Sequence, residues 1–221
     1  MAFPHRYVVM EGCIGVGKTT LAHLLAREMG ARVVLEVVEE NPFLPLFYQD
    51  QVAHAFKTQM FFLLSRFRQQ EALGQEDLFS RGVVSDYLFA KDRIFASLTL
   101  SASELALYEQ VYHLLNARVA KPDLVIFLQA PMEVILERIQ RRGRAFERNI
   151  DVGYLEALVA AYQRFFAHYT ETPLLVVDTA DLNFPERRGD FQLVWETAGR
   201  IRNGQHRLTQ ANATLPLVPR G

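Results

Sequence analysis

The sequence predicts an α/β fold, a parallel β-sheet covered by helices on both faces. Three observations predict it. Short apolar, β-branched runs alternate with segments of helical periodicity, the pattern of strands buried on both sides. Gly12-Cys13-Ile14-Gly15-Val16-Gly17-Lys18-Thr19-Thr20 lies between one such run and one such helix. Of the 221 residues, 50% are hydrophobic and 22% charged, which supports a sizeable core and excludes a disordered chain.

Arg6 to Glu11 reads as the first strand. Leu21, Leu24, Leu25 and Met29 give the following helix one apolar face, and Gly30 ends it. Arg32 to Val38 reads as the second strand, interrupted by Glu36. Asn41-Pro42 reads as a helix start, with Asn as N-cap. A long amphipathic helix is expected from Val52 to Leu73 and a short strand from Gly82 to Ser85, ending at Asp86. Ser101 and Glu104 have capping-box spacing before a helix that runs to Arg118. Leu124 to Gln129 and Leu174 to Asp178 complete five strands, with helices at Glu133 to Arg141, Tyr154 to Tyr169 and Phe191 to Ile201. Residues 1–203 are taken as one domain and 204–216 as a tail; Leu217 to Gly221 resembles a thrombin-cleavage scar.

Net charge is −1, so no global field draws the chain to nucleic acid. No run is long enough to span a bilayer, and the single cysteine, Cys13, fits a reducing, cytoplasmic setting.

The Gly12–Thr20 stretch carries the most specific chemistry. A glycine, four residues and Gly-Lys-Thr between strand and helix form a P-loop. Gly12, Gly15, Val16 and Gly17 turn backbone N–H groups inward, and the helix N-terminus at Lys18, Thr19 and Thr20 adds partial positive charge. Lys18 reaches the outer phosphates of a nucleoside triphosphate, and the Thr19 hydroxyl ligates Mg²⁺. Glu36 and Asp86 both follow strands, so both should converge on the same crevice. Glu36 is placed for general-base work or is a salt-bridged structural carboxylate. Asp86 is a metal-side acid or a helix N-cap. Arg138, Arg141, Arg142, Arg144 and Arg148 flank Gly143, which breaks the helix. That makes a loop able to close over a triphosphate, the alternative being a solvated basic face.

Together these residues resemble the deoxynucleoside kinases. The P-loop, Leu35-Glu36, Asn41-Pro42-Phe43-Leu44 with Phe47-Tyr48, Met60-Phe61-Phe62-Leu63, and Arg142-Gly143-Arg144-Ala145-Phe146-Glu147 stand in the family's order from Tyr7 to Trp195. Ser85-Asp86-Tyr87 with Lys91 and Ile94-Phe95-Ala96 is most similar to the bacterial deoxyguanosine kinases. The resemblance implies a P-loop kinase fold with an arginine-rich lid, a homodimer, and ATP-dependent 5′-phosphorylation of a purine deoxynucleoside, deoxyguanosine first. It makes Glu36 the base at the 5′-hydroxyl, Tyr48 and Glu147 the holders of the 3′-hydroxyl, and Gln59 a reader of the base. It places Arg142 and Arg144 on the triphosphate and Asp181 and Asn183 in the loop around the adenine of ATP. Many members carry an arginine after the third strand that is missing here, leaving two registers. One puts Asp86 at the metal; the other puts Asp86 at the arginine position and Lys91 at the base. In the second, Asp86 and Lys91 offer an acceptor and a donor to guanine. Both registers leave the arginine missing, its charge open to Lys91 or Arg93.

Overall fold

The computed structural model describes residues 3–76, 82–147, 150–180, 182–184 and 186–209. Among them the sheet has six strands: β1 (Tyr7–Gly12), β2 (Arg32–Val34), β3 (Val83–Ser85), β4 (Leu124–Gln129), β5 (Leu174–Asp178) and β6 (Gln205–Leu208). Their spatial order is β2-β3-β1-β4-β5-β6, and every adjacent pair is parallel. The chain leaves β1 for one edge and later returns to its other side at β4. The crevice at the end of β1 is therefore a topological switch point, where such sheets bind ligands.

Alternation along the central strands sends side chains to two cores. Val8, Met10, Leu124, Ile126 and Leu128 pack with Leu21 and Leu25 of α1 (Lys18–Met29) and Val194 and Ala198 of α8 (Arg188–Arg200). Val9, Val125 and Phe127 pack on the other face against Ile94 of α4 (Asp92–Thr99), Ile135 of α6 (Met132–Arg142) and Leu155, Leu158, Tyr162 and Phe166 of α7 (Val152–Ala167). Burial on both faces explains why these strands read as unbroken apolar runs. A third cluster joins α3 (Gln51–Glu76) to α5 (Ala102–Asn116) through Leu63, Phe67, Tyr108 and Tyr112. Gly30 caps α1 in the left-handed conformation, and Ser101 with Glu104 forms the expected capping box. No helix among the described residues is long and apolar enough to cross a membrane.

Four expectations are corrected. The sheet has a sixth strand, because β6 pairs with β5 from Gln205 to Leu208. Its first three residues are exposed and only Leu208 is buried, so this edge strand lacks an apolar run. The second strand stops at Val34 rather than Val38. Its partner β3 is only three residues long and ends at Ser85, so the ladder has nothing further to pair with. The helix near Asn41-Pro42 is α2 (Leu44–Phe47). Asn41 instead turns the chain before it, its Oδ1 accepting the Phe43 N–H at 3.0 Å. Finally, α4 has no counterpart in the sequence reading; its eight residues make barely two turns, too short a window to mark a helix.

Candidate active site

The turn from β1 into α1 requires two of its glycines. A Cβ at Gly12 would run into the Leu128 carbonyl oxygen, and one at Gly15 would meet the Ile139 side chain at 2.8 Å; both residues have positive φ. The loop therefore sits tightly on β4 and α6. Lys18 curls back over it, donating to the carbonyls of Gly12 at 2.8 Å and Cys13 at 3.1 Å. Desolvation, then the neighbouring charge of Lys91, lowers the Lys18 pKa.

Asp86, at the end of β3, is 5% exposed and joins two parts of the site. Its Oδ2 accepts the Thr19 hydroxyl at 2.5 Å, and its Oδ1 accepts the Glu36 backbone N–H at 2.8 Å. Two hard oxygens, one hydroxyl and one carboxylate, thus face each other beside the phosphate loop. That donor set suits Mg²⁺, which takes one or two protein oxygens and completes its shell with phosphate and water.

Glu36 lies two residues beyond β2 and is held by side chains instead of a ladder. Arg66 donates its Nε to Oε1 at 2.8 Å, and its Nη2 also reaches that oxygen. Lys91 donates to Oε2 at 2.9 Å. Burial pushes the carboxyl pKa up, but Arg66 and Lys91 outweigh it and hold Glu36 well below the usual carboxylate range. Arg66 also pairs with buried Asp92 through Nη1. Burial pushes Asp92 up to about 6 against the opposing pull of Arg66.

Two clefts open from this centre. The first is lined by Glu36, Tyr48, Gln59, Arg66, Asp86 and Glu147, with Phe62, Phe95 and Phe146 supplying apolar walls. The second is lined by the loop from Gly15 to Thr20, by Arg138, Arg141 and Asn183, and by Phe184. Lys18, Thr19, Arg142 and Arg144 border both.

Within the first cleft, Glu147 is 4% exposed and receives Arg142, whose Nε and Nη2 lie 3.1 and 2.5 Å from its two oxygens. Burial, then the Glu147 charge, pushes the Tyr48 phenol far up, so it stays a proton donor at any working pH. Gln59 is buried and donates to the Thr99 hydroxyl at 3.4 Å. Arg144, beyond the left-handed Gly143, pairs with Glu39 at 2.7 Å. In the second cleft, the Asn183 side chain donates to Glu186 at 2.8 Å.

A family model described as deoxynucleoside kinase matches residues 8–198. The chain belongs to the deoxynucleoside kinase family. Bacillus subtilis deoxyguanosine kinase is 37% identical to it over 85% of the chain and 93% of that protein. Bacillus subtilis deoxyadenosine/deoxycytidine kinase is 30% identical over 79% of the chain and 82% of that protein. A structure of deoxyadenosine kinase from M. mycoides with bound dATP superimposes with a TM-score of 0.75 at 26% identity, covering 87% of this chain and 98% of that one.

For this deoxynucleoside kinase, several sequence expectations change. Lys91 is not placed to read a base with Asp86: it is 2% exposed with its ammonium on Glu36. Of the two registers, the geometry matches the one that sets Asp86 beside Thr19. Arg93 points away and pairs with Glu109 at 2.9 Å. Arg138 is bonded to the body of the fold. Its guanidinium donates to the carbonyl of Val16 and to both oxygens of Thr179, pinning α6 to the phosphate loop and to the end of β5. Asp181 and Arg148 lie outside the described residues. Sequence reasoning missed Arg66, Glu11 and Asp92. Arg66 had a signal, a lone arginine in the apolar Met60–Phe67 stretch, where a buried charge demands a partner.

Proposed function

We propose that the chain transfers the γ-phosphoryl group of ATP to the 5′-hydroxyl of a purine deoxynucleoside, with deoxyguanosine preferred. The observation that carries this reading is the meeting of the two clefts at Lys18, Thr19, Arg142 and Arg144, with Glu36 on the acceptor side. A triphosphate on the loop then directs its outer phosphate toward a hydroxyl beside Glu36, the positioning that phosphoryl transfer needs.

Glu36 is ionised throughout the working range. A carboxylate this acidic is a weak base, so it orients the hydroxyl first and takes its proton late, as the new O–P bond forms. Tyr48 donates to, and Glu147 accepts from, a 3′-hydroxyl. The cations at Lys18, Arg142 and Arg144 balance charge on the transferring group. Mg²⁺, held by Thr19 and Asp86 together with phosphate oxygens, would supply further neutralisation. Asn183 and its loop flank the adenine of ATP.

The preference for deoxyguanosine is supported by the 37% identical relative and by the polar end of the acceptor cleft. There Gln59 and Arg66 offer donors for O6, and the Gln59 carbonyl an acceptor for N1–H. The M. mycoides structure, named for deoxyadenosine, supports the alternative purine. The homodimer and cytoplasmic setting belong to the same proposal; Leu107 and Leu114, exposed on α5, would suit a dimer face. Comparing kcat/KM for deoxyguanosine, deoxyadenosine, deoxycytidine, thymidine and thymidine monophosphate with ATP and Mg²⁺ tests the reading. Preference for deoxyguanosine supports it. Preference for deoxyadenosine keeps the mechanism and replaces the substrate; activity on the monophosphate alone overturns the acceptor assignment.

A further inference from the structure

Lys91 ends the 3₁₀ turn Phe89–Lys91 that leads into α4. Its side chain is 3% exposed, and its ammonium lies 2.9 Å from Glu36 Oε2 and 3.9 Å from Glu11 Oε1. Glu11 is fully buried near the end of β1, where it accepts the backbone N–H of Gly12 at 2.8 Å and of Leu88 at 2.9 Å. Lys91 therefore ties the strand that carries the phosphate loop to the carboxylate at the acceptor hydroxyl.

Glu36 needs such a tie. It sits past the end of β2, with no ladder to fix it. Asp86 holds its backbone, Arg66 holds Oε1, and Lys91 holds Oε2. The two cations differ in one respect. Arg66 lines the acceptor cleft, whereas Lys91 lines neither cleft. Lys91 therefore makes no direct contact with a substrate in either cleft, and its hydrogen bond to the site runs to Glu36. We infer that Lys91 is a positioning residue for this kinase, setting the Glu36 carboxylate at a fixed distance from the phosphate loop. This rests on the reading of Glu36 given above. The task uses the charge: one cation here serves two carboxylates, Glu36 and Glu11.

The test is steady-state kinetics with deoxyguanosine and ATP–Mg²⁺ on wild type, Lys91→Met, Lys91→Arg, Glu36→Gln and the Lys91→Met/Glu36→Gln double variant. Loss of positioning by a fraction of an ångström is expected to lower kcat about 10- to 100-fold in Lys91→Met. Both KM values should stay within about 3-fold, since no cleft wall is removed. Lys91→Arg should recover most of kcat. In the Glu36→Gln background, Lys91→Met should cost less than about 2-fold, as expected for residues acting as a unit. Equal losses in both backgrounds, or a rise in KM with kcat intact, overturn the assignment while leaving Glu36 in place. A Glu36→Gln variant as fast as wild type overturns both readings. If Lys91→Met fails to fold by circular dichroism, Lys91→Gln carries the same comparison. Its additivity with Glu36→Gln decides in the same way.

Discussion

The Thr19 hydroxyl donates to Asp86 Oδ2 at 2.5 Å, which fastens the start of α1 to the end of β3. The same carboxylate receives the Glu36 N–H on its other oxygen. The group proposed to share Mg²⁺ with Thr19 is thus also the backbone anchor of Glu36. Asp86→Asn keeps the shape and removes the charge. It is expected to lower kcat by about 100-fold or more, because charge at a phosphoryl-transfer site is lost. It should also raise the Mg²⁺ concentration needed for half-maximal rate. An unchanged Mg²⁺ dependence would remove Asp86 from the metal side.

Glu36→Gln is expected to lose about 10²- to 10⁴-fold in kcat. ATP affinity, measured by nucleotide binding in the absence of acceptor, should persist, because Glu36 lines only the acceptor cleft. Loss of ATP binding in a folded variant would place Glu36 on the donor side.

The pH dependence follows from the sign of the Glu36 shift. Burial raises its pKa, and Arg66 and Lys91 lower it by more, so the folded value lies below the unfolded one. Its ionic contribution to stability is then complete above the unfolded value, about 4.3, and fades only as pH falls through the folded value. Thermal unfolding of Glu36→Gln relative to wild type should show the same difference at pH 6 and pH 8. The difference should shrink only below about pH 4. A difference that changes between pH 6 and pH 8 would mean that Glu36, or Asp92 joined to it through Arg66, titrates in that range.

Tyr48 and Glu147 are tested by the acceptor. Tyr48→Phe removes a donor while keeping the ring that stacks on Phe146 with centroids 6.0 Å apart. The loss in kcat/KM should be about 10-fold with deoxyguanosine, the worth of one buried hydrogen bond, and small with its 3′-deoxy analogue. Equal losses on both acceptors would detach Tyr48 from the sugar.

Arg138 is expected to matter for the fold and for the donor alone. Arg138→Ala leaves the acceptors at Val16 and Thr179 unpaired and should destabilise by roughly 1–3 kcal/mol. It should raise KM for ATP more than KM for the nucleoside, since the guanidinium borders only the donor cleft. An equal rise in both would mean that Arg138 reaches the shared centre.

The sheet and the phosphate loop were legible because both faces of β1 and β4 are buried, and because the loop needs its glycines at fixed places. Residues that read as variations on the pattern were harder. β6 is exposed along most of its length, so it resembled a tail. Tyr48, Gln59 and Glu147 were expected at the site from the family resemblance, and the structure brings them to one cleft with Glu36. Lys91 was found as a charge but given the wrong partner, because spacing along the chain does not show that a 3₁₀ turn aims it back at Glu36. Arg66 and Asp92, twenty-six positions apart, become neighbours only when α3 crosses the start of α4.

The most direct test of the central claim is to follow the γ-phosphate of labelled ATP in the presence of deoxyguanosine and Mg²⁺, and to locate the label by phosphorus NMR. Label on the 5′-oxygen, formed by the wild type and reduced about 100-fold or more in Glu36→Gln, is the expected result. Label released only as inorganic phosphate, at a rate indifferent to the nucleoside and to Glu36, would contradict it.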